Sequence, residues 1–422
     1  MHILETVRIK CVPDLNPNQI EKNIMISDYE KIVTKRDKSL FTQDIAANHN
    51  ILSECIGGSR IVVVGAAGSI GTTVVKTILR FKPKALSLID LNENNLVEVV
   101  RDLRSSTEIV LPQDFSTLPI GLGTIEFDRY FKDSIPFDYF LNLCAVKHVR
   151  SEKNIYCLMH MIDTNAVFLY DFFRQNPYRF KKVFSVSSDK ATNPANMMGA
   201  SKMVMEKVLL SQAEEQLFST ARFANVAFSD GSLPYGFLQR ISKWQPLSAP
   251  NDVKRYFISH QEAGELCVLS CILGENRDVF FPKLNSGTDE KTFSQIAADL
   301  LETMGYEPVE CDSEEEAKNR ASKLIPQKRW PCYFFKTDTS GEKGYEEFYV
   351  TNEKLDMDRF KSIGVIKRGP LAETEFLRAF IRFCKQAKRD THITKQDYVE
   401  AMHKVVPTFQ HIETGRNLDQ KM

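Results

Sequence analysis

The residues able to do chemistry are concentrated in one segment, VSSDKATNPANMMGASK, residues 186 to 202. Asp189 and Lys190 are adjacent, placing a carboxylate beside an amine, the residue types that general acid–base chemistry uses. Ser187 and Ser188 precede them with hydroxyls that can steady a carboxylate. Lys202 follows Met198 by one helical turn. A thioether neither gives nor takes a proton, so position 198 has three readings. It belongs to an inactive enzyme, to a core helix with an incidental lysine, or to a site whose acid–base work has moved elsewhere. For Asp189-Lys190 the plain alternative is a solvated turn after a strand.

Reacting groups at such a place need a strand to deliver them, and KVFSVSS (182 to 188) ends directly before Asp189. Open α/β sheets place their reacting groups at the carboxyl ends of strands. Other strand candidates are RIVVVG, ALSLID (85 to 90), DYFLNLCA (138 to 145) and TARFANVAF (220 to 228). Helical patterns lie between them at 69 to 81, 93 to 104, 162 to 175 and 199 to 216. This alternation predicts a Rossmann-type doubly wound parallel sheet of the α/β class.

The first strand runs into GAAGSIG, with Gly65, Gly68 and Gly71 spaced in threes around Ser69 and Ile70. Glycines let such a turn approach a pyrophosphate while the helix amino terminus meets its charge. The next strand ends at Asp90, about 20 residues beyond the last glycine, where a carboxylate can hold ribose hydroxyls. The following LNEN offers no arginine for a 2'-phosphate, which favours NAD over NADP. Glycines of an ordinary strand-to-helix turn are the alternative.

The 422 residues carry 55 basic and 55 acidic side chains, a balance that gives no reason to expect nucleic acid or an anionic membrane as partner. Nine scattered cysteines form no CxxC and no metal-like cluster with histidine, so no metal is expected and the thiols read as reduced. No apolar run has the length of a signal peptide core or of a membrane span, and a cytoplasmic location is expected. Residues 1 to 57 read as a helical lead-in and 58 to 228 as the nucleotide-binding domain. Residues 229 to 350 form a looser mixed region, and 351 to 422 a helical extension with a polar tail.

From about 58 to 350 the chain resembles the extended short-chain dehydrogenase/reductase superfamily. It is similar in particular to the bacterial polysaccharide-biosynthesis group of UDP-N-acetylglucosamine 4,6-dehydratases. The motifs that carry this are GAAGSIG, AVKHVRSEK (145 to 153), TNAV (164 to 167), SSDKATNPANMMGASK, ARFANV (221 to 226), KRYF (254 to 257) and GEKGYEE (341 to 347). The resemblance implies a UDP-sugar substrate bound in 229 to 350 and a tightly held NAD regenerated at each turnover. It makes Met198 a subfamily replacement for a tyrosine, and gives Lys202 the nicotinamide ribose. Asp189, steadied by Ser188, would take the C4 hydroxyl proton and pass it to the departing C6 hydroxyl. Lys190, its pKa lowered by burial and by Lys202, would remove the C5 proton. Lys147 and His148 would line the substrate side, Asn165 the helix beneath the nicotinamide, and Asn225 and Arg255 the UDP pyrophosphate. Glu342 and Glu346 would close the pocket. The helices 162 to 175 and 199 to 216 would pair with a second copy, giving a homo-oligomer.

The chain departs from the group's pattern at NLCA before Lys147, at Ala224 before Asn225, and outside the core, where many relatives carry membrane helices. Two other functions fit the cofactor motif. A UDP-sugar 4-epimerase would want a proton shuttle at position 198, and a non-catalytic NAD-binding regulator would not need Asp189, Lys190 and Lys202 together.

Overall fold

The computed structural model describes residues 26–175, 180–213, 216–370 and 372–414. The lead-in before residue 26 and the end of the tail lie outside the described residues. The β-branched run Arg60–Val64 (β1) is buried beyond its first residue, as a strand covered on both faces must be. Around it assemble Ala85–Ile89 (β2), Asp114–Leu118 (β3), Tyr139–Asn142 (β4), Lys182–Ser188 (β5) and Phe218–Phe223 (β6). They pair in parallel in the order 3-2-1-4-5-6, with Val62 opposite both Ser87 and Phe140. The doubly wound α/β class is therefore the fold.

Three further strands extend the sheet past β6. Asp278–Pro282 continues it in parallel, and Ile363–Lys367 and Leu355–Asp356 close it in antiparallel pairing. Two of these lie in 351 to 422, where helices alone were expected, and one lies in 229 to 350. The sheet thus crosses the expected boundaries at 228 and 350.

One face of the sheet is covered by helices Ser69–Leu79, Glu93–Ser105 and His260–Leu273, with the lead-in helices packed beside them. The other face carries Ile125–Asp133, the continuous helical stretch 155–175 with a π turn at Asp163–Val167, and Met197–Ser211. Helices Glu375–Ala387 and Lys395–Val405 pack onto this layer, joining Leu377, Phe380, Tyr398 and Met402 to one apolar cluster with Val204, Val208 and Leu209. Part of the surface expected to meet a second copy is occupied by the chain's own carboxyl-terminal helices. A third cluster around Phe228, Phe237, Ile296 and Trp330 forms a smaller lobe, on which helix Ile26–Thr34 docks through Tyr29 and Val33.

A buried ion cluster joins the layers. Arg222 of β6 is fully buried and grips Glu206 of helix Met197–Ser211 in a fork, Nε to Oε1 at 3.0 Å and Nη2 to Oε2 at 2.9 Å. Its Nη1 donates to the Phe348 carbonyl (2.8 Å) and to Glu353 (3.2 Å), and Ser187 Oγ donates to Glu206 Oε1 (2.7 Å). Burial pushes the Glu206 carboxyl up, but Arg222 outweighs this and holds it below the usual range. The pair's stabilisation is therefore complete above the ordinary glutamate range and fades as pH falls through the lowered value. Arg222→Met, which leaves Glu206 with only the more distant Arg368 (3.7 Å), should lower the unfolding free energy read from urea titration by about 3–5 kcal/mol, and replacing Glu206 by Leu as well should recover most of it. A single variant as stable as the parent would contradict this account.

Candidate active site

The glycine-rich turn begins where β1 ends. Gly65 has φ +81°, and a side chain there would come within 2.7 Å of the Cys144 amide nitrogen. At Gly71 a Cβ would lie 2.1 Å from the Gly65 carbonyl oxygen, so helix and turn meet with no room for a methyl. Gly68 caps the helix that starts at Ser69 and has nothing nearer its missing Cβ than 3.7 Å, leaving the approach to the helix amino terminus open. Asp90 accepts from the Ala67 amide (2.9 Å) with one oxygen and the Asn92 amide (2.9 Å) with the other. The carboxylate and the open helix terminus together fit a dinucleotide. Ser69 Oγ accepts from the Asp230 amide (3.2 Å), joining this turn to the loop after β6, and Ile70 packs half-buried against the core.

At the end of β5, Ser188 Oγ donates to Asp189 Oδ1 (2.8 Å), and the Lys190 amide also reaches that oxygen (2.8 Å). Asp189 is 1% exposed, and its Oδ2 is buried without a hydrogen-bond partner. An oxygen so placed is an unspent acceptor. Lys190 Nζ lies between Asp189 Oδ1 (3.3 Å) and Glu346 Oε1 (3.2 Å). Burial lowers its pKa, but the two carboxylates outweigh it and the net direction is upward. The expected lowering of Lys190 is thus corrected, because Asp189 and Glu346 outweigh the burial that would have lowered it. Lys202 instead faces Cys144 and Glu206, donates to the Val186 carbonyl (3.1 Å), and is pulled down by burial to about 8.

Met198 is buried in the apolar cluster beneath the sheet, and its carbonyl accepts from Ser201 Oγ (2.7 Å). It contributes packing and no proton. Asn165 is also structural. Its amide nitrogen donates to the Val146 carbonyl (3.1 Å) and Ser201 Oγ (2.9 Å), and its oxygen accepts from the Val146 amide (2.9 Å). With both hydrogens used, it pins the loop before Lys147 instead of donating to a ligand.

Lys147 Nζ points to Ser229 Oγ (3.5 Å), and the His148 ring closes on Gly231, where a Cβ would clash at 2.8 Å. Burial lowers the pKa of both, with Lys147 adding to the effect on His148. Asn225 donates to the Tyr256 carbonyl (3.3 Å), in the strand that carries Arg255. Arg255 is not free for a diphosphate as the chain stands. Its Nη2 donates to Glu342 (3.1 Å), its Nη1 to the Lys254 carbonyl (2.8 Å), and its Nε lies 3.6 Å from Glu346. A substrate would have to exchange those partners.

Sequence reasoning underrated Glu346 and missed Asp230. Glu346 Oε2 and Asp230 Oδ1 are both buried without hydrogen-bond partners. Burial raises the Glu346 carboxyl despite the nearby cations. Glu346 stands in GEKGYEE, whose loop is tied to the turn after Lys190 by Lys343 Nζ on the Thr192 carbonyl (2.7 Å) and Asn196 on the Gly341 carbonyl (2.8 Å).

Among described residues, no helix is long and apolar enough to cross a membrane. The chain is 26% identical over 314 residues to a Methanocaldococcus jannaschii protein named only as an uncharacterized membrane protein, covering 72% of this chain and 85% of that one. It is 26% identical over 329 residues to the probable polysaccharide biosynthesis protein EpsC of Bacillus subtilis, covering 76% of this chain but only 50% of that protein. Two more relatives, each 25% identical over 54% of this chain, carry different activities in their names. They are the UDP-N-acetylglucosamine 4,6-dehydratase (inverting) of Campylobacter jejuni, covered over 68%, and the UDP-glucose 4-epimerase of Rickettsia typhi, covered over 67%. The solved structure of Pen from Bacillus thuringiensis superposes with a TM-score of 0.59 at 19% identity, over 84% of this chain and 98% of that one, and so shares the fold. The sequence profile of the polysaccharide biosynthesis protein family matches residues 61–368, and the chain belongs to that family.

Proposed function

We propose that the protein is an NAD-dependent nucleotide-sugar 4,6-dehydratase acting on a UDP-N-acetylhexosamine, UDP-N-acetylglucosamine first among them. The observation that carries this is the buried, unspent Asp189 Oδ2 beside a lysine held by a second carboxylate, at the carboxyl end of a strand in the same sheet as the one that feeds the glycine-rich turn. The turn 65–71, Asp90 and Lys202 would hold the dinucleotide, which when bound would supply reversible hydride storage between C4 and C6.

Oxidation at C4 makes the C5 proton acidic, after which elimination needs one base and one acid. Asp189 Oδ2 accepts the C4 hydroxyl proton and later gives it to the departing C6 hydroxyl, which leaves as water. Lys190 is an ammonium while Asp189 and Glu346 flank it, so it must lose a proton before it can act as a base. Glu346, whose carboxyl is raised by burial and lies 3.2 Å away, accepts that proton. Lys190 then removes the C5 proton and returns one to C5 after hydride reaches C6. The UDP diphosphate draws Arg255 from Glu342 and Glu346, which leaves Glu346 to Lys190 alone. Lys147 and His148 flank the sugar.

A 4-epimerase is the second reading, favoured by the Rickettsia relative at equal identity. The buried thioether of Met198 and the Asp189-Lys190-Glu346 set both favour elimination over it.

Incubation with UDP-N-acetylglucosamine in deuterated water, without added cofactor, should give a product that has lost one water and gained one solvent deuteron, read by mass spectrometry. Unchanged mass with inverted C4 would establish the epimerase, and no change across UDP-, GDP- and dTDP-sugars would sink both. Lys190→Ala should abolish dehydration, and Glu346→Gln should lower kcat by about 100-fold with little change in KM. An unimpaired Lys190→Ala enzyme would remove the base from the mechanism.

A further inference from the structure

The tail of the chain crosses the framework of this site. The Gln410 amide donates to the Pro194 carbonyl (2.9 Å), the Ile412 amide to Ala195 (3.0 Å), and the Gly341 amide to the Ile412 carbonyl (2.9 Å). The strap therefore lies between the turn that follows Lys190 and the loop that leads to Glu346. At this crossing Glu152, His411 and Glu413 each present a ligand atom, and the three atoms lie within 4.8 Å of one another.

Two of these atoms are unsatisfied. Glu152 is 4% exposed; its Oε2 accepts from the Met197 amide (2.7 Å), while its Oε1 is buried without a hydrogen-bond partner. His411 Nε2 is likewise buried without one, and the two atoms face each other at 3.5 Å. A charge-assisted hydrogen bond between them would bring them to about 2.7–2.9 Å. Two ligands on a tetrahedral ion, with bonds of about 2.0–2.1 Å, sit about 3.3–3.4 Å apart. The observed gap fits a shared ion better than a shared proton.

The surroundings orient the ligands. The Met197 amide fixes the Glu152 carboxylate, and Ser340 Oγ donates to Glu413 Oε1 (2.7 Å) while Lys395 pairs with its other oxygen. The His411 ring packs beside Phe409 at 5.6 Å between centroids. One imidazole with two carboxylates suits zinc and its first-row neighbours better than magnesium or calcium.

We propose that Glu152, His411 and Glu413 bind one divalent transition-metal ion of the zinc class, which fastens the carboxyl-terminal strap across the active-site turn. Glu152 holds the first amide of the helix bearing Met198 and Lys202, so the ion would tie the strap to the start of that helix. The expectation of no metal arose because Glu152 and His411 lie far apart in sequence and show no ligand spacing.

The test uses the full chain, stripped with a chelator and titrated with zinc chloride in a calorimeter, with magnesium chloride as control and thermal unfolding in parallel. One equivalent of zinc should bind and raise Tm, and magnesium should do neither. His411→Ala and Glu413→Gln should each weaken binding by at least about 100-fold, at or beyond the upper end of the loss seen on removing an outer-shell partner. Glu413 is half-exposed, so its variant carries the test should His411→Ala fail to fold. Zinc binding of equal strength in both variants, or no binding to the parent chain, would overturn the proposal. The readout requires no sugar turnover, so its outcome is independent of the proposed dehydratase reaction.

Discussion

The pairing of Arg222 with Glu206 is the constraint on which the site depends. Two opposite charges are held in a dry interior, where separating them would leave either one uncompensated. Their partners therefore have little freedom. Glu206 sits one turn beyond Lys202 and also receives Ser187, two residues before Asp189. Arg222 takes the Phe348 carbonyl, two residues after Glu346. One ion pair thus sets the strand end, the lysine helix and the second carboxylate in register, although Glu346 comes from far along the chain.

Above that base, the polar residues of the site neutralise one another. Asp189, Lys190, Glu346, Arg255 and Glu342 form a chain of alternating charges, each within 3.6 Å of the next. Such a chain is stable without substrate, yet it leaves one oxygen of Asp189 and one of Glu346 unspent. In the proposed reaction a diphosphate would compete for Arg255 near one end, and a sugar hydroxyl for Asp189 at the other. Binding would therefore redistribute charge along the chain, which couples recognition of the nucleotide to readiness of the base.

Much of the sheet was legible in the sequence because its central strands are buried on both faces and read as continuous apolar runs. Strand β3, DFSTL, escaped because it is a half-exposed edge with no such run. DVFFP and IGVIK escaped because they lie in stretches whose prolines or helical periodicity drew attention away from strands. In the site, Gly65, Gly71, Asp90 and the Asp189-Lys190 pair were legible because turns and strand ends are local. The Lys190 environment was not, since Glu346 approaches from far along the chain, while Lys202, close in sequence, faces elsewhere. Asn165 and Met198 were recognisable by motif, but only packing distinguishes a side chain that pins a loop or fills a core from one that meets a ligand.

The carboxyl-terminal helices and strap also bear on how the protein is made. The turn that carries Lys190 emerges from the ribosome long before the segment that clamps it. Until Glu375–Val405 follows, the part of the apolar cluster around Val204, Val208 and Leu209 lacks one of its covers, and exposed apolar surface invites association. A chain cut short before this segment would also lack the strand Ile363–Lys367 if cut earlier still, losing an edge of the sheet together with the clamp. Completion of the strap across the Lys190 turn and full covering of this cluster are therefore the same late event, so truncated products would be prone to associate.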